Sequence, residues 1–167
     1  MKLSNKIMLI KILLSGDGGQ GIQLISDMLA QSAFANNFFV SQIPNYGLEQ
    51  RGGVSLSYLI ISDKEISYPR FSNPGILLVM SEQARERIKQ YQLAAYSLQL
   101  TDYLDLFKMN NVNEKSYNIF FLGLLAKVLE EKGILKKEEV FKLLEKKLST
   151  KNGWEENKRT WELAIGN

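Results

Sequence analysis

The 167-residue sequence contains no cysteine and no histidine. Without cysteine the chain cannot form a disulfide, present a thiolate nucleophile or hold an iron–sulfur cluster through thiolate ligands. Without histidine it lacks the imidazole of a Ser-His-Asp triad, the commonest acid–base group near neutral pH, and the ligands of a Cys/His zinc site. Any demanding redox chemistry in which this chain takes part therefore depends on groups from other chains.

Long hydrophobic runs are also missing. No apolar run approaches the ~18 residues that a membrane-spanning helix needs. The basic start, residues 1–6, is followed by an apolar run that leads into a glycine-rich stretch without a small-residue cleavage site. With 45% hydrophobic and 23% charged residues, the sequence predicts a cytoplasmic protein with one domain, residues 1–167, and no membrane contact.

Charge is nearly balanced, with a formal net charge of +3. Lysine and glutamate alternate over residues 136–147, a pattern typical of a solvated helix surface. A basic stripe with interleaved aromatic residues is missing, so we expect no nucleic-acid partner.

Four glycines occupy the six positions of the first glycine loop, residues 16–21, with the sequence GDGGQG. An apolar run precedes this loop and an amphipathic pattern follows it, which predicts a strand, a glycine turn and a helix. Such density of glycine favours unusual dihedral angles or close approach of another group to the main chain. The start of the helix would direct unpaired N–H groups and a positive dipole end toward an anion or a carbonyl.

Apolar periodicity elsewhere predicts an α/β fold with three α/β/α layers, a mixed but mainly parallel sheet, a Rossmann-like start and a helical C-terminal third. The first two strands and their helix form a βαβ unit, whose strands we expect to pair in parallel. Ser81 is predicted to cap a helix and Gly133 to end one, while Trp154 and Trp161 are expected to pack in the core. The predicted strands are 7–14, 38–43, 54–61, a hairpin strand 65–68, 76–80 and 96–100, and the predicted helices start at 22 and 82 and cover 117–132, 136–148 and a terminal segment.

The first glycine loop satisfies the GxGxxG spacing of dinucleotide-binding sites, and a plain tight turn is the simpler alternative. The acid that binds the ribose should end the second strand, yet no Asp or Glu follows residue 38 until Glu49. Asp17 also puts a carboxylate where a phosphate would lie, and no Gly-Lys-Ser/Thr follows Gly21, so the loop is not a nucleotide P-loop.

A second glycine loop, running from Tyr46 to Gly53, carries an acid, a base and three glycines. Glu49 and Arg51 could form a solvent-exposed ion pair of little energetic worth. Alternatively, the forked guanidinium of Arg51 could bind a carboxylate or phosphate.

Taken together and in order, GDGGQG over 16–21, PNYGLEQRGG over 44–53 and LIISD over 59–63 resemble the gamma subunit, or gamma domain, of the 2-oxoacid:ferredoxin oxidoreductases. The resemblance covers almost the whole chain. Its motifs are closer to the 2-oxoglutarate and 2-ketoisovalerate types than to the pyruvate type. Pro74-Gly75 is a departure, because many relatives carry an acid there.

The resemblance implies an oxidoreductase subunit of anaerobic metabolism that is inactive alone and works with alpha, beta and in some cases delta subunits. In this family thiamine diphosphate held by partner chains attacks the 2-oxoacid, CO2 leaves, electrons pass through iron–sulfur clusters to ferredoxin, and coenzyme A accepts the acyl group. We therefore expect this chain to hold no cofactor or metal by itself and to provide no catalytic residue, with contact to coenzyme A as its one possible ligand interaction.

The binding hypothesis is that both glycine loops lie at neighbouring strand ends and face the active site of a partner. Gly18, Gly19 and Gln20 would offer N–H and amide donors, and Arg51 would hold an anionic group of coenzyme A or a partner carboxylate. Two alternatives stay open: an independent dinucleotide-binding oxidoreductase and a purely structural assembly subunit. The predicted binding residues are Gly16, Gly18, Gly19, Gln20, Gly21, Tyr46, Glu49, Arg51, Gly52 and Gly53.

Overall fold

The computed structural model describes residues 8–46, 52–91 and 93–167. All five strands described lie in the first two thirds of the chain, with α1 after β1 and α2 after β4, and helices make up the last third. The strands are β1 Leu9–Asp17, β2 Phe39–Tyr46, β3 Val54–Ser62, β4 Ile76–Val79 and β5 Tyr96–Gln99, and the α-helices are α1 Ile22–Ala35, α2 Glu82–Arg87, α3 Leu104–Met109, α4 Tyr117–Glu131, α5 Lys137–Leu148 and α6 Trp154–Gly166.

The strands form one sheet in the order β2-β3-β1-β4-β5. β1 pairs in parallel with β4, and β4 pairs in parallel with β5. β3 is antiparallel to both of its neighbours, β1 and β2. Four of these strands therefore point the same way and only β3 is reversed, which confirms the predicted mixed, mainly parallel sheet.

The predicted pairing of the first two strands is wrong, because β3 lies between them. Ile60 of β3 pairs with Lys11 of β1 on one side and with Ser41 of β2 on the other. A short connection suffices to join antiparallel strands, whereas parallel strands need a long crossover. Few residues separate β2 from β3 in the sequence, so these two strands pair antiparallel, and β3 also takes the place beside β1.

The predicted hairpin strand at residues 65–68 is also wrong, since that segment forms no strand. Both edges of β3 are already occupied by β1 and β2, so no free edge remains for another partner. Asp63, which follows β3, makes two hydrogen bonds with Met8, which precedes β1. Its N–H donates to the Met8 carbonyl at 3.1 Å, and its carboxylate accepts the Met8 N–H at 3.1 Å.

Alternating side chains of β1 fill the cores on the two faces of the sheet. Ile12 and Leu14 pack among α1, α4, α5 and α6. Leu13, between them in sequence, packs with Leu77 and Ile88 on the opposite face. That second face is covered by α2 and by the irregular connection after β3, which completes the three predicted layers.

The helical C-terminal third packs as predicted. Gly133 has φ +73° just after α4, consistent with a helix-ending position. Trp161 is only 4% exposed, and its ring centroid lies 5.4 Å from that of Phe141. Among the described residues, no helix is both long and apolar enough to cross a membrane.

Candidate functional site

The two glycine loops meet at one end of the strands, in the middle of the sheet. β1 ends opposite the start of β3, with Asp17 paired to Val54. The N–H of Gly18 donates to the carbonyl of Gly53 at 2.9 Å. We call the adjoining backbone of Gly18, Gly19, Gly52 and Gly53 the rim.

The exposed part of the rim depends on glycine for its backbone shape. Gly19 has φ +92° and Gly52 has φ +80°, in the left-handed region that disfavours residues with a Cβ. A Cβ built at either position would meet no atom of the described residues within 4 Å. Bare main chain therefore faces open space at two neighbouring points, so another molecule can approach it closely.

Gly16 and Gly21 are needed for internal packing instead. Gly16 is a buried residue of β1, and a Cβ there would lie 2.7 Å from Gln20 Oε1. Gly21, at φ +81°, precedes α1, and a Cβ there would lie 2.1 Å from Asn118 Nδ2. Asn118 thus sits against the start of α1, whose N–H groups were expected to face a ligand.

Most of the donors expected for a ligand are engaged within the chain. The Gln20 amide nitrogen donates to the Met80 carbonyl at 3.1 Å, and its Oε1 accepts the Asp17 N–H at 2.7 Å. The Gln20 N–H donates to the Asp17 carbonyl at 3.1 Å. Within the described ranges, the N–H of Gly19 has no such acceptor. The first glycine loop is therefore a preformed, internally bonded turn that presents Gly19 to its surroundings.

Sequence reasoning missed a network that joins the first glycine loop to α2. Ser81 Oγ donates to Asp17 Oδ1 at 2.6 Å and accepts the N–H of Ala84 at 3.0 Å, as an N-cap does. When the Gln83 amide is oriented to satisfy its neighbours, its nitrogen donates to Asp17 Oδ1 and to the Gly52 carbonyl, both at 3.1 Å. The Ser81 cap was predictable, but its link to Asp17, 64 residues away, was not.

An open groove of about 730 Å³ follows α2 away from the rim. Gln83 lines this groove and, in the orientation described above, also donates to the Gly52 carbonyl. On the sheet face behind α2, burial and a side-chain hydrogen bond with Tyr91 raise the pKa of Tyr58 to about 12. The groove is lined by Val54, Glu82, Gln83, Glu86, Arg87, Lys89 and Gln90.

Three predicted site residues, Tyr46, Glu49 and Arg51, come in the sequence at the end of β2 or between β2 and β3. The backbone of Tyr46 ends β2 opposite Ser55. Glu49 and Arg51 lie outside the described residues, so their binding roles stay predictions. β2 also continues through Pro44, which an edge strand tolerates because proline there removes no necessary ladder donor.

The sheet order does not fit a dinucleotide site of the GxGxxG type. Such a site needs the strand after the first helix to lie beside the first strand, where its terminal acid reaches the ribose. Here the antiparallel β3 occupies that place. No group of three or more Asp or Glu side chains within the described ranges could hold a metal ion.

Comparison with known proteins gives one family and one fold. The model of the family described as "Pyruvate ferredoxin/flavodoxin oxidoreductase" matches residues 11–166. Among curated proteins, the chain is 34% identical to the "2-oxoglutarate synthase subunit KorC" of Methanocaldococcus jannaschii over 122 residues, which is 72% of this chain and 65% of the relative. It is 41% identical to the protein of that name in Methanothermobacter marburgensis over 75 residues, or 44% of this chain and 40% of the relative.

These matches span between 40% and 65% of the length of the relatives named above. Among solved structures, the keto/oxoacid ferredoxin oxidoreductase gamma subunit from Geobacter sulfurreducens aligns with a TM-score of 0.67 at 22% identity, over 94% of this chain and 96% of that one. The 2-oxoglutarate:ferredoxin oxidoreductase from Magnetococcus marinus aligns with a TM-score of 0.72 at 16% identity, over 95% of this chain and 31% of that one. At these identities the structural likeness shows a common fold.

Proposed function

Because the chain belongs to the pyruvate ferredoxin/flavodoxin oxidoreductase family, we propose that it is the gamma subunit of a 2-oxoacid:ferredoxin oxidoreductase. It forms a single gamma-type domain over residues 1–167 and works in the cytoplasm with alpha and beta, and in some complexes delta, subunits. The assembled complex converts a 2-oxoacid, coenzyme A and oxidised ferredoxin to an acyl-CoA, CO2 and reduced ferredoxin.

The observation that carries this proposal is the contact between the two glycine loops. Gly18 and Gly53 are joined by a 2.9 Å hydrogen bond although 35 positions separate them in the sequence. The loops carry the two motifs on which the family resemblance depends, and they form one exposed edge. A paired, preformed edge of bare main chain suits a surface that partner subunits complete.

The residues of this chain fit a role in shaping and closing a site. The chain has no Cys or His, so iron–sulfur ligands of the thiolate type and imidazole acid–base groups come from partner chains. Thiamine diphosphate, bound by those chains, supplies the carbanion chemistry. This chain contributes the backbone of Gly19 and Gly52 at the edge, excludes water from the covered site, and holds an anionic group of coenzyme A or a partner carboxylate through Arg51.

The substrate is proposed to be 2-oxoglutarate or a branched-chain 2-oxoacid in preference to pyruvate. The 2-oxoglutarate synthase subunit that matches 72% of this chain is 34% identical to it, and a ketoisovalerate oxidoreductase subunit matches at 33% identity over 73 residues. A pyruvate synthase subunit matches at 36% over the shorter span of 59 residues.

The test is anaerobic affinity purification of the tagged chain from its native cell, followed by native mass spectrometry. We expect a complex with chains that carry thiamine diphosphate and iron–sulfur clusters. That complex should reduce ferredoxin with coenzyme A and 2-oxoglutarate or 2-ketoisovalerate, and more slowly with pyruvate. Recovery of the chain alone, or a complex without 2-oxoacid-dependent reduction of ferredoxin, would contradict the proposal.

A further inference from the structure

Asp17 connects three elements that meet at the rim. It is the last residue of β1, and its carboxylate accepts a hydrogen bond from Ser81 at 2.6 Å and, with the Gln83 amide oriented to satisfy its neighbours, a second one from Gln83 at 3.1 Å. Both donors belong to the start of α2. Because a carboxylate binds such donors more strongly than a neutral acceptor does, Asp17 attaches the start of α2 to the end of β1.

Gln83 extends the connection from the first glycine loop to the second. The amide nitrogen that donates to Asp17 also donates to the Gly52 carbonyl at 3.1 Å. The neighbouring residue of that loop, Gly53, accepts the N–H of Gly18 at 2.9 Å. The two loops are thus bonded to each other directly and bridged a second time through α2.

The short helix α2 cannot hold this geometry by itself. It has six residues, which is well below the length at which an isolated helix is stable in water. Its cap, Ser81, uses one hydroxyl both to accept the Ala84 N–H at 3.0 Å and to donate to Asp17. Formation of the helix and attachment to β1 are therefore coupled through one side chain.

We propose that Asp17 and Gln83 are positioning residues that set the separation of the two glycine loops and thereby the affinity of the assembled complex for coenzyme A. The inference rests on the proposed function, in which Arg51, next to Gly52 in the sequence, holds an anionic group of coenzyme A. Neither side chain takes part in the reaction, so their effect belongs to binding.

The test uses the full complex with Gln83→Ala in this chain. Gln83 is exposed, so its truncation leaves the core intact. Loss of the bridge should raise the KM for coenzyme A about three- to tenfold and leave kcat within about twofold, since one hydrogen bond is worth about 1 kcal/mol and each 1.4 kcal/mol is a factor of ten. The matched control is Gln31→Ala, which truncates an exposed glutamine on α1 and should leave both constants unchanged.

Two further variants separate positioning from a merely structural effect. Asp17→Asn keeps an acceptor oxygen for Ser81 and should raise the KM for coenzyme A less than Asp17→Ala does. Hydrogen–deuterium exchange should become faster in peptides covering 16–21 and 52–56 of the Gln83→Ala complex, without loss of subunits.

The outcomes are distinct. A KM for coenzyme A equal to that of the Gln31→Ala control, a fall in kcat at constant KM, or failure of Gln83→Ala to enter the complex would each overturn the positioning role. A wild-type complex that lacks 2-oxoacid-dependent activity would instead contradict the proposed function itself.

Discussion

Replacing Gly21 by alanine tests how the first glycine loop is held. At φ +81°, a residue with a Cβ is disfavoured by about 1–2 kcal/mol. The new Cβ would also lie 2.1 Å from Asn118 Nδ2, so the Asn118 side chain must move. Moving it breaks the 3.0 Å bond that its Oδ1 accepts from the Ile119 N–H, a loss of about 1 kcal/mol.

The free energy of unfolding should therefore fall by about 2–3 kcal/mol, which lowers Tm by roughly 5–10 °C in a chain of this length. Thermal unfolding followed by circular dichroism measures the change. Gly19→Ala is the matched control, because its φ is similarly positive, +92°, while its Cβ would lie within 4 Å of no atom in the described part of the chain. The free energy of unfolding of Gly19→Ala should fall only by the cost of the positive φ, about 1–2 kcal/mol.

Adding Asn118→Ala to Gly21→Ala isolates the steric part of the effect. Asn118→Ala removes the obstructing amide, so the double variant should lose clearly less stability than the sum of the two single losses. Equal destabilisation by Gly21→Ala and Gly19→Ala, or additive losses in the double variant, would refute the steric argument.

Two other predictions concern helix packing and pH. In Gly123→Ala the new Cβ would lie 2.7 Å from Ala164 Cβ, which overpacks the contact between α4 and α6. This cost should exceed the gain of about 1 kcal/mol from the helix preference of alanine, so the variant should be less stable by about 1 kcal/mol. A higher midpoint of urea unfolding would contradict this. A hydrogen bond from Lys137 lowers the pKa of Glu130, so the ion pair stabilises the fold above the ordinary Glu pKa and this contribution is lost as pH falls through the lowered value. Glu130→Gln should therefore have a shallower decline of Tm between about pH 5 and 3, and curves of equal slope would show that the pair contributes nothing.

Local patterns in the sequence were sufficient to predict most of the elements. The continuous apolar run 76–80 predicted β4, which is buried on both faces, and Ser81 marked the start of α2. The predicted strand ends were less accurate. β1 continues through Gly16 and Asp17 because both pair with β3, an interaction between segments far apart in sequence that no local pattern reports.

The topology could not be predicted from periodicity for the same reason. Apolar alternation shows that residues 54–62 form a strand, but it does not indicate between which strands β3 lies. In the candidate site, motif spacing identified both glycine loops. No local pattern indicated that Gln20 bonds to Met80 or that Asp17 binds Ser81, since each contact depends on where the start of α2 meets the sheet.

The most direct test of the central claim compares hydrogen–deuterium exchange of this chain alone and within the complex purified without oxygen. If the rim is the surface that partner subunits complete, amides of residues 17–21 and 52–54 should exchange more slowly in the complex. Addition of coenzyme A should slow them further. Unchanged exchange at these residues, together with protection of other surfaces, would contradict the account.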